Sequence, residues 1–408
     1  MVVGAGPTGV ALALLLSRSG LTVDLVEAGG RTSRRFRGEG LMPSGLEALA
    51  AMGFMPLPQA VRQLPLTAWS FHLDGQLLFE TAEPMGARQP CTLIDQDSLL
   101  RELVAEAGRQ PGFRRLQGQA VRELLRRSGR VVGIGLADGT CLEAELVVAC
   151  DGRDSLLRQK ADLALELAPT PLEVLWFRLE APAAGPLLAW LAGRFVTVVG
   201  PAGSYALFPS ARGGVQLGWA LEPGAHPPPP AAPGGWAELW AGDAPAPLAR
   251  LLRALPPEAV QGPLRLPVRV GLCPRWHRPG LLLLGDAAHP MSPLRAQGIN
   301  MALRDALVAA RLLVPALRAG ETGAIDAALE AVTAARLPEI RRIQRLQEEE
   351  ARRADLLRRR HRLRHLLART ARWSGPLLAR RWLAGQRQLR HGLGPIDGPS
   401  DGQGRGPA

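Results

Sequence analysis

Apolar runs that end abruptly at glycine or at an acidic residue recur along this chain of 408 residues. Residues 1–3 and 21–26 are two such runs, and the segment between them, residues 10–17, has the apolar spacing of a helix. A third run, residues 281–284, consists of four leucines and is followed by a Gly-Asp pair. Short, uniformly apolar runs are typical of strands in a parallel sheet that helices cover on both faces. The pattern therefore predicts an α/β fold organised around a parallel sheet.

The middle of the chain has a different pattern. Short stretches rich in β-branched and aromatic residues are separated by glycine and proline, which is typical of an antiparallel sheet. We predict its strands at residues 67–81 (around an Asp-Gly turn), 173–179, 195–199, 204–209 and 215–220. A proline-rich loop over residues 227–235 and a helix over residues 236–255 follow. An antiparallel-sheet domain is thus expected to interrupt the parallel-sheet domain.

The remaining elements complete these domains and add a C-terminal segment. We predict helices at residues 44–52, 97–108 and 324–347, a hairpin at 120–127 and 131–136, and a strand at 142–150. The parallel-sheet domain then comprises residues 1–66, 93–165 and 270–338, and the inserted domain residues 67–92 and 166–269. Arginine-rich helices at 339–392 and a disordered tail at 393–408 end the chain.

Composition narrows the class of protein. Hydrophobic residues make up 47% of the chain, which is enough for a large core and about two domains. No apolar run approaches the length of a membrane span. At the N-terminus no charged stretch precedes an apolar one, so we expect no secretory signal. The four cysteines are scattered without CxxC spacing, so we expect reduced thiols, a cytoplasmic setting and no metal site.

The net charge of +12 belongs to one segment. Residues 341–391 contain sixteen arginines and four acidic residues, so the rest of the chain is neutral and no general nucleic-acid surface is indicated. Within this segment one helical face is mostly apolar and much of the remainder is arginine. The apolar face comprises Leu356, Leu363, Leu366, Leu367, Thr370 and Trp373. Two interpretations stay open: a helical cap on the parallel-sheet domain, or peripheral contact with anionic lipid.

Three charged or glycine-rich turns carry the candidate chemistry. The first, Gly4-Ala5-Gly6-Pro7-Thr8-Gly9, lies between a strand and a helix, and Glu27 ends the next strand. This spacing predicts a dinucleotide site, with glycines for a tight turn and close backbone approach and an acid for a ribose. The second turn begins at Asp151, and the third runs from Asp286 to a helix that opens at Gly298, Ile299 and Asn300. A carboxylate at a sheet edge and a helix N-terminus suit a flavin dinucleotide.

With these turns in order, residues 1–338 resemble the group A flavoprotein monooxygenases, the single-component FAD-dependent aromatic hydroxylases. The resemblance implies a Rossmann-like FAD-binding domain interrupted by an antiparallel-sheet substrate domain. It also implies non-covalent FAD, NADH or NADPH as a transient reductant, and O₂, which would react through a flavin C4a-hydroperoxide with an aromatic or quinone-precursor substrate. The cofactor-binding residues expected on this basis are Gly4, Gly6, Pro7, Thr8, Gly9, Glu27, Arg37, Gln96, Asp151, Asp286, Gly298, Ile299 and Asn300.

The chain departs from the family pattern in the loop before the last helix. The family usually has P-x-x-G-x-G-x-N, whereas here the loop begins with Pro293, and Ala296 replaces the first glycine. Arg295 is either a solvated, outward side chain or an anchor for a carboxylate or phenolate substrate near the flavin. Pro293 and Arg295 are the candidates closest to the chemistry. We expect structural roles for His289 and, by core packing, for His72 and Tyr205.

Other functions share parts of this pattern. A flavin-dependent reductase of a prenyl or quinone substrate would have the same FAD domain but would not need O₂. A flavin-dependent halogenase is disfavoured because the chain lacks that family's W-x-W-x-I-P motif and catalytic lysine. A membrane- or RNA-associated binding protein with a vestigial flavin site is disfavoured by the intact cofactor motifs.

Overall fold

The computed structural model describes residues 1–29, 39–168, 172–221 and 235–396. Arg37 and most of the proline-rich loop therefore lie outside the described residues, as does the chain after residue 396. The helices in the described part are α1 Pro7–Arg18, α2 Pro43–Ala51, α3 Gln96–Ala107, α4 Leu156–Lys160, α5 Gly185–Leu191, α6 Gly235–Asp243, α7 Ala246–Arg253, α8 Gln297–Ala319, α9 Thr322–Arg359, α10 His361–Arg369 and α11 Ala371–His391.

The strands are short and alternate with these helices. In chain order they are β1 Val2–Val3, β2 Val23–Glu27, β3 Gly40–Leu41, β4 Gln63–Pro65, β5 Ala68–Leu73, β6 Gln76–Ala82, β7 Thr92–Ile94, β8 Phe113–Gln117, β9 Val121–Arg127, β10 Arg130–Leu136, β11 Cys141–Glu143, β12 Val147–Ala149, β13 Glu166–Leu167, β14 Leu172–Leu179, β15 Phe195–Gly200, β16 Gly203–Pro209, β17 Val215–Leu221, β18 Val260–Val268, β19 Gly271–Leu272, β20 His277–Arg278 and β21 Leu281–Leu283.

A six-stranded sheet with the order β20-β21-β12-β1-β2-β8 confirms the predicted parallel sheet. All neighbours run parallel except the edge pair β20 and β21. The strand β1 lies between β12 and β2, with Val2 opposite Val148 and Leu25. Helices α1 and α8 pack against each other, and their apolar side chains belong to the same buried core as these strands. The three predicted turns therefore follow strands whose carboxyl ends share one edge.

A seven-stranded sheet with the order β18-β14-β17-β16-β15-β5-β6 confirms the inserted sheet. Two separate stretches of chain build it, β5–β6 and β14–β18, and they join where β5 runs parallel to β15. The other neighbours are antiparallel, as predicted. Helices α5, α6 and α7 cover one face, where the sheet and the helices share a second core.

Two predicted elements are divided in the structure. The stretch 142–150, predicted as one strand, forms β11 in a small antiparallel sheet and β12 in the parallel sheet. The reason is that each half pairs with a different sheet, which periodicity along a single run cannot reveal. The helix predicted over 236–255 stops at Asp243, and α7 starts anew after Pro245, which has no amide hydrogen for the preceding helix.

The C-terminal helices cover the seven-stranded sheet and not only the parallel-sheet domain. Helix α11 packs along β6, and α10 packs on β5 and β6. Two buried arginines fix these helices: Arg364 Nε lies 2.6 Å from Asp74 Oδ1, and Arg390 Nη2 lies 2.6 Å from Glu83 Oε2. The segment therefore forms a cap, but mainly on the seven-stranded sheet and to a smaller extent, through α2, on the parallel-sheet domain for which it was predicted, and not all its arginines are solvated.

The outer side of the same helices stays apolar in part. Leu366 is 58% exposed and Trp373 is 74% exposed, so the predicted apolar face is only partly covered. Contact with anionic lipid through this face stays a prediction. Among the described helices, none combines the length and the apolar character that a membrane span requires.

The tail predicted as disordered from residue 393 begins with residues that are bonded to the fold. Leu393 N donates to Glu339 Oε1 at 2.9 Å, and the carbonyl of Gly394 accepts from Arg304 Nη2 at 2.7 Å. The predicted boundary was therefore too early, because a composition rich in glycine and proline does not show which backbone groups find buried partners.

Candidate functional site

One cavity of about 1930 Å³ extends from the carboxyl edge of the six-stranded sheet to a face of the seven-stranded sheet. Its first part is lined by the three turns, and its second part by aromatic side chains of the inserted sheet and by α9 and α11. Pockets for a single ligand usually enclose roughly 300–1,000 Å³. The cavity is therefore large enough for a cofactor and a second organic molecule together.

The glycines of the first turn have three different surroundings. Gly4 has φ +103°, and a Cβ there would collide with the carbonyl of Cys150. A Cβ at Gly9 would collide with the carbonyl of Gly4, so this glycine lets α1 approach the strand, as predicted. A Cβ at Gly6, by contrast, would meet no atom within 4 Å, and Gly6 lines the cavity. The turn therefore presents bare backbone at the N-terminus of α1, where anionic groups bind.

Glu27 closes the end of β2 against the same turn. Its Oε2 accepts a hydrogen bond from Ala5 N at 2.7 Å, and its Oε1 accepts one from Gly29 N at 2.8 Å. The side chain also lines the cavity. It therefore fixes the glycine turn, and its carboxylate lone pairs remain available for a ribose.

The second turn is tied to the third by an arginine. Asp151 accepts hydrogen bonds from Ser155 Oγ at 2.6 Å and from Leu157 N at 3.1 Å, so it holds the start of α4. Buried Arg158 donates to the carbonyl of Ala287 at 2.9 Å and to that of Arg153 at 3.0 Å. Asp151 thus shapes the turn, while the neighbouring Gly152 leaves open space for a ligand.

Asp286 lies in the first part of the cavity and is paired with a residue of the second turn. Arg153 Nε donates to Asp286 Oδ2 at 3.0 Å, and about a third of the Asp286 side chain is exposed. Gly285 precedes it with φ +61°, and a Cβ there would collide with Thr8 of the first turn. All three turns are therefore in mutual contact around Asp286.

The start of α8 divides its predicted site residues into two groups. Gly298 and Ile299 line the cavity, and a Cβ at Gly298 would meet no atom within 4 Å. Asn300 is fully buried and binds backbone instead: its Oδ1 accepts from Met42 N at 2.8 Å, and its Nδ2 donates to Gly40 O at 3.1 Å. The side-chain amide of Asn300 therefore holds β3 beside the helix, and binding of the cofactor by this residue stays a prediction.

A buried charge network lies behind the third turn. Asp305 has no exposed surface, and its carboxylate accepts from Arg336 Nε at 2.7 Å and lies 2.6 Å from His289 Nε2. Burial alone would raise the pKa of Asp305, but the charges of His289 and Arg336 outweigh it and lower that pKa. Arg336 also bonds to Glu339, whose Oε1 accepts from Arg304 at 2.8 Å. His289 thus has the structural role predicted for it.

The aromatic part of the cavity contains Arg295, which is not an outward side chain. Its side chain is 7% exposed, and its Nε donates to Glu350 Oε1 at 2.8 Å. The guanidinium carbon lies 4.7 Å from the centre of the Trp69 ring and 5.1 Å from that of Trp382. The solvated interpretation of Arg295 is therefore wrong, because an ion pair and stacked rings hold it inside.

Gln96 and Pro293 occupy the positions that the sequence suggested. Gln96 is the first residue of α3, is 8% exposed and lines the cavity, while Asp95 accepts a hydrogen bond from Asp97 N and caps the helix. Pro293 lines the cavity just before Arg295. Both residues thus lie where a ligand of the cavity would contact them.

The two other candidates of the inserted sheet pack in its interior. Tyr205 donates its hydroxyl hydrogen to the carbonyl of Trp240 on α6 at 2.9 Å. His72 is 7% exposed, and neither ring nitrogen has a hydrogen-bond partner among the described residues. Burial, assisted by the charge of Arg194, lowers the pKa of His72 to about 4. His72 is therefore a neutral core residue at pH 7.

This buried imidazole should make stability depend on pH. Because the pKa of His72 is lower in the folded state than in the unfolded state, its contribution is complete above the unfolded value and is lost as the pH falls towards 4. We expect this one group to remove about 3 kcal/mol of unfolding free energy between pH 7 and pH 4. Urea denaturation of the wild type and of His72→Phe at several pH values measures the difference. Parallel curves for the two proteins would contradict the expectation.

Several residues of the site could not be found from sequence patterns. Glu39 is 8% exposed and accepts from Ser210 Oγ at 3.0 Å and from Gln216 Nε2 at 2.9 Å, which joins the parallel-sheet domain to the inserted sheet. Burial raises the pKa of Glu39. Arg153 is the exception and could have been found, since it lies two residues after Asp151 in the second predicted turn. Glu350 and Trp382 carried no such signal, because they lie in a long helical segment with many similar residues.

The residues present fit a flavin dinucleotide. Three glycines, Gly6, Gly152 and Gly298, come from the three different turns, line the cavity and leave open space where a Cβ would be. Two helix N-termini, those of α1 and α8, and the carboxylates of Glu27 and Asp286 reach the same volume. Such a cradle suits an elongated ligand with phosphates, hydroxyls and an electron-poor ring.

Comparison with known proteins agrees with this geometry. The family described as FAD binding domain matches residues 1–345. The 6-methylpretetramide 4-monooxygenase of Streptomyces rimosus is 35% identical over 369 residues, which cover 86% of this chain and 83% of that protein. The ubiquinone hydroxylase UbiL of Rhodospirillum rubrum is 27% identical over 352 residues, which cover 83% of this chain and 77% of that protein.

Solved structures show the same fold. PqsL of Pseudomonas aeruginosa, in complex with 2-aminobenzoylacetate, has a TM-score of 0.74 at 24% identity and covers 89% of this chain and 97% of its own. HpxO of Klebsiella pneumoniae, complexed with FAD and uric acid, has a TM-score of 0.69 at 22% identity and covers 96% and 97%. At these identities the likeness establishes the architecture and not the substrate.

Proposed function

Because this chain belongs to the family of FAD-dependent monooxygenases and is therefore a flavoprotein oxidoreductase, we propose that it hydroxylates a multi-ring aromatic substrate with NADH or NADPH as reductant and O₂ as oxidant. The observation that carries the proposal is one continuous cavity, lined by described residues, that joins the three cofactor turns to an aromatic wall. The relative of highest identity named above acts on 6-methylpretetramide, and UbiL is named as a ubiquinone hydroxylase. A polyketide or a quinone precursor is thus the substrate class we infer.

The aromatic wall supports a planar substrate. Phe195 stacks on Phe208 with ring centres 4.9 Å apart and an interplanar angle of 12°, and Trp69 lies 4.6 Å from Phe195. These rings line the cavity and offer flat apolar surfaces against which a planar molecule can stack. The volume of the whole cavity leaves room for several fused rings beside the cofactor.

The protein's own residues would bind, orient and exclude water. FAD, when bound, would supply the redox chemistry that couples oxidation of the nicotinamide to activation of O₂. Gly6, Glu27 and Asp286 would hold the dinucleotide, and the N-terminus of α8 would place a partial positive charge beside its ring. The aromatic wall and α11 would keep water from the reacting face.

Substrate-dependent consumption of NADH or NADPH tests the function. Purified protein loaded with FAD is mixed under ¹⁸O₂ with a panel of phenols, quinols and multi-ring polyphenols. The masses of the products are then measured by mass spectrometry. We expect one panel member to accelerate oxidation of the nicotinamide and to gain one ¹⁸O atom. Reduction of a substrate without O₂ would instead support the flavin-dependent reductase. No turnover with any aromatic compound would contradict the proposal.

Asp286→Ala should lose most of its bound FAD. The substitution removes the charged acceptor at the centre of the three turns and leaves Arg153 with only the carbonyl of Met291 as a partner among the described residues. Hydrogen bonds to charged groups contribute about 1.5–3 kcal/mol, so the affinity for FAD should fall roughly tenfold to a hundredfold. Flavin released on denaturation gives the FAD content. Glu143→Ala, at an arginine-paired carboxylate that is 69% exposed and does not line the cavity, is the control and should keep its FAD.

A further inference from the structure

Arg295 lies at the junction between the cofactor turns and the aromatic wall. Three rings surround its guanidinium, those of Trp69 and Phe71 from β5 and that of Trp382 from α11, with ring centres 4.7 Å, 5.7 Å and 5.1 Å from its central carbon. Arg295 itself belongs to the loop directly before α8. One side chain therefore connects the cofactor side of the cavity with its substrate side.

The backbone of this loop is held in an uncommon conformation. Arg295 has φ 58° and ψ 24°, and Ala296 has φ 50° and ψ 31°, so two successive residues with side chains adopt the left-handed region. This region is unfavourable for residues other than glycine and persists only where the surroundings impose it. The conformation places the Arg295 side chain in the aromatic cage and not in solvent.

Glu350 compensates the charge of Arg295. Both Nε and Nη2 of Arg295 donate to the same oxygen of Glu350, Oε1. The other oxygen, Oε2, is buried and has no hydrogen-bond partner among the described residues. The pair as a whole is neutral, and Glu350 depends on Arg295 for its compensation.

One edge of the guanidinium remains available. Nε and Nη2 are committed to Glu350, whereas Nη1 makes no hydrogen bond to the residues that the structure describes. The side chain lines the cavity, so the two hydrogens of Nη1 can be donated to a ligand there. Of the two indole N–H groups in the surrounding rings, that of Trp69 donates to Glu83 Oε1 at 2.6 Å, and that of Trp382 is buried without a partner among the described residues. Arg295 Nη1 is thus the charged donor of this cage.

We propose that Arg295 is a specificity-determining residue that donates hydrogen bonds to a neutral ring oxygen of the substrate, a phenol or quinone carbonyl, and that Glu350 is the positioning residue that makes this site reject carboxylates. The proposal rests on the proposed function for the identity of the ligand as a substrate. It adds the class of substituent that must lie beside the rings.

The preference follows from the charge of the pair. A phenol or carbonyl oxygen accepts from Nη1 without bringing a full charge into the cage. A carboxylate would add a second anion beside Glu350 in a region shielded from water, where uncompensated charges are costly. The same charge argument applies to a phenolate, so both anions named in the sequence-based expectation are disfavoured, and a neutral oxygen acceptor is favoured in their place.

Ligand binding without turnover tests this assignment. The FAD-loaded protein, without NADH or NADPH, is titrated with 2-naphthol and with 2-naphthoate, and binding is followed by flavin absorbance and naphthol fluorescence. We expect the wild type to bind 2-naphthol at least about tenfold more tightly than 2-naphthoate. This ratio is the affinity that one hydrogen bond to a charged group contributes. The Glu350→Gln variant keeps an acceptor for Arg295 but leaves the charge of Arg295 uncompensated. The affinity of this variant for 2-naphthoate should therefore be at least about tenfold higher than that of the wild type.

A paired substitution separates recognition from a purely structural role. Arg295→Met combined with Glu350→Leu removes both charges at similar volume, a change that buried ion pairs often tolerate without loss of stability. Its FAD content and thermal midpoint should stay near those of the wild type, while 2-naphthol binds about tenfold more weakly. If the double variant loses its FAD, the role of Arg295 in recognition is judged from the binding preference of the Glu350→Gln variant alone.

Three outcomes would overturn the assignment: a wild type that binds neither probe, one that binds 2-naphthoate as tightly as 2-naphthol, or a Glu350→Gln variant with unchanged preference. None of these measurements involves hydroxylation. A normal preference for 2-naphthol in a protein that hydroxylates no aromatic compound would therefore overturn the proposed function and leave the recognition site in place.

Discussion

A leucine in place of Gly298 should leave the purified protein folded and colourless. Gly298 lies in the first turn of α8 and lines the cavity, and a Cβ there meets no neighbouring atom within 4 Å. The larger side chain would therefore project into the volume that FAD needs without colliding with the apoprotein. Because it occupies space and does not merely remove one contact, its effect on FAD content should exceed that of Asp286→Ala.

The stability of this variant distinguishes blocking of the site from misfolding. Replacing a helical glycine stabilises a helix by up to about 1 kcal/mol, so the apoprotein should unfold at the same or a higher denaturant concentration. Gly242→Leu is the matched control, since Gly242 lies in α6, also has no atom within 4 Å of a Cβ and does not line the cavity. A yellow Gly298→Leu protein with normal FAD content would place the cofactor elsewhere.

Asp305→Ala should cause a large loss of stability. The substitution leaves Arg336 buried with one partner fewer and removes the partner of His289. Breaking a buried ion pair by deleting one member typically costs about 3–5 kcal/mol, because the remaining charge is uncompensated. The third turn should also loosen, since Gly285 N donates to Asp305 Oδ2 at 3.3 Å.

Equilibrium unfolding in urea and FAD content measure the two consequences. Glu143→Ala, which removes an exposed partner of Arg127, is the control and should change the unfolding free energy by no more than about 1 kcal/mol. Because the folded-state pKa of Asp305 is lowered, the contribution of this group is present above its unfolded pKa and is lost only at strongly acid pH. Equal effects of the two substitutions would show that the network adds little.

The cofactor side of the site was predictable because its signals are local. A glycine turn needs particular residues within a few positions, and its strand and helix leave a periodic pattern in the same stretch. The three turns, the two sheets and the start of α8 were therefore identified correctly from the chain alone. The carboxyl ends of parallel strands then bring the turns together without further information.

The substrate side was less predictable because its partners are distant in sequence. Glu350 lies 55 residues after Arg295, and Trp382 belongs to an arginine-rich stretch whose composition indicated a surface. Whether a charged side chain is solvated or buried depends on which partner the tertiary fold brings to it. The same reason applies to Asn300. The motif identifies the residue, but only the fold shows that its side-chain amide is hydrogen-bonded to the backbone at β3.

The seven-stranded sheet is assembled from two stretches of chain that are separated by about ninety residues, most of which belong to the other domain. A recombination of relatives with one crossover between β6 and β14 would therefore split this sheet, pairing β5 and β6 of one parent with β15 of another. To move a substrate preference between relatives, an engineer would have to graft both stretches together with α10 and α11, which close the sheet at β6. Variation among such proteins should accordingly accumulate by single residues in the aromatic wall more readily than by exchange of whole segments.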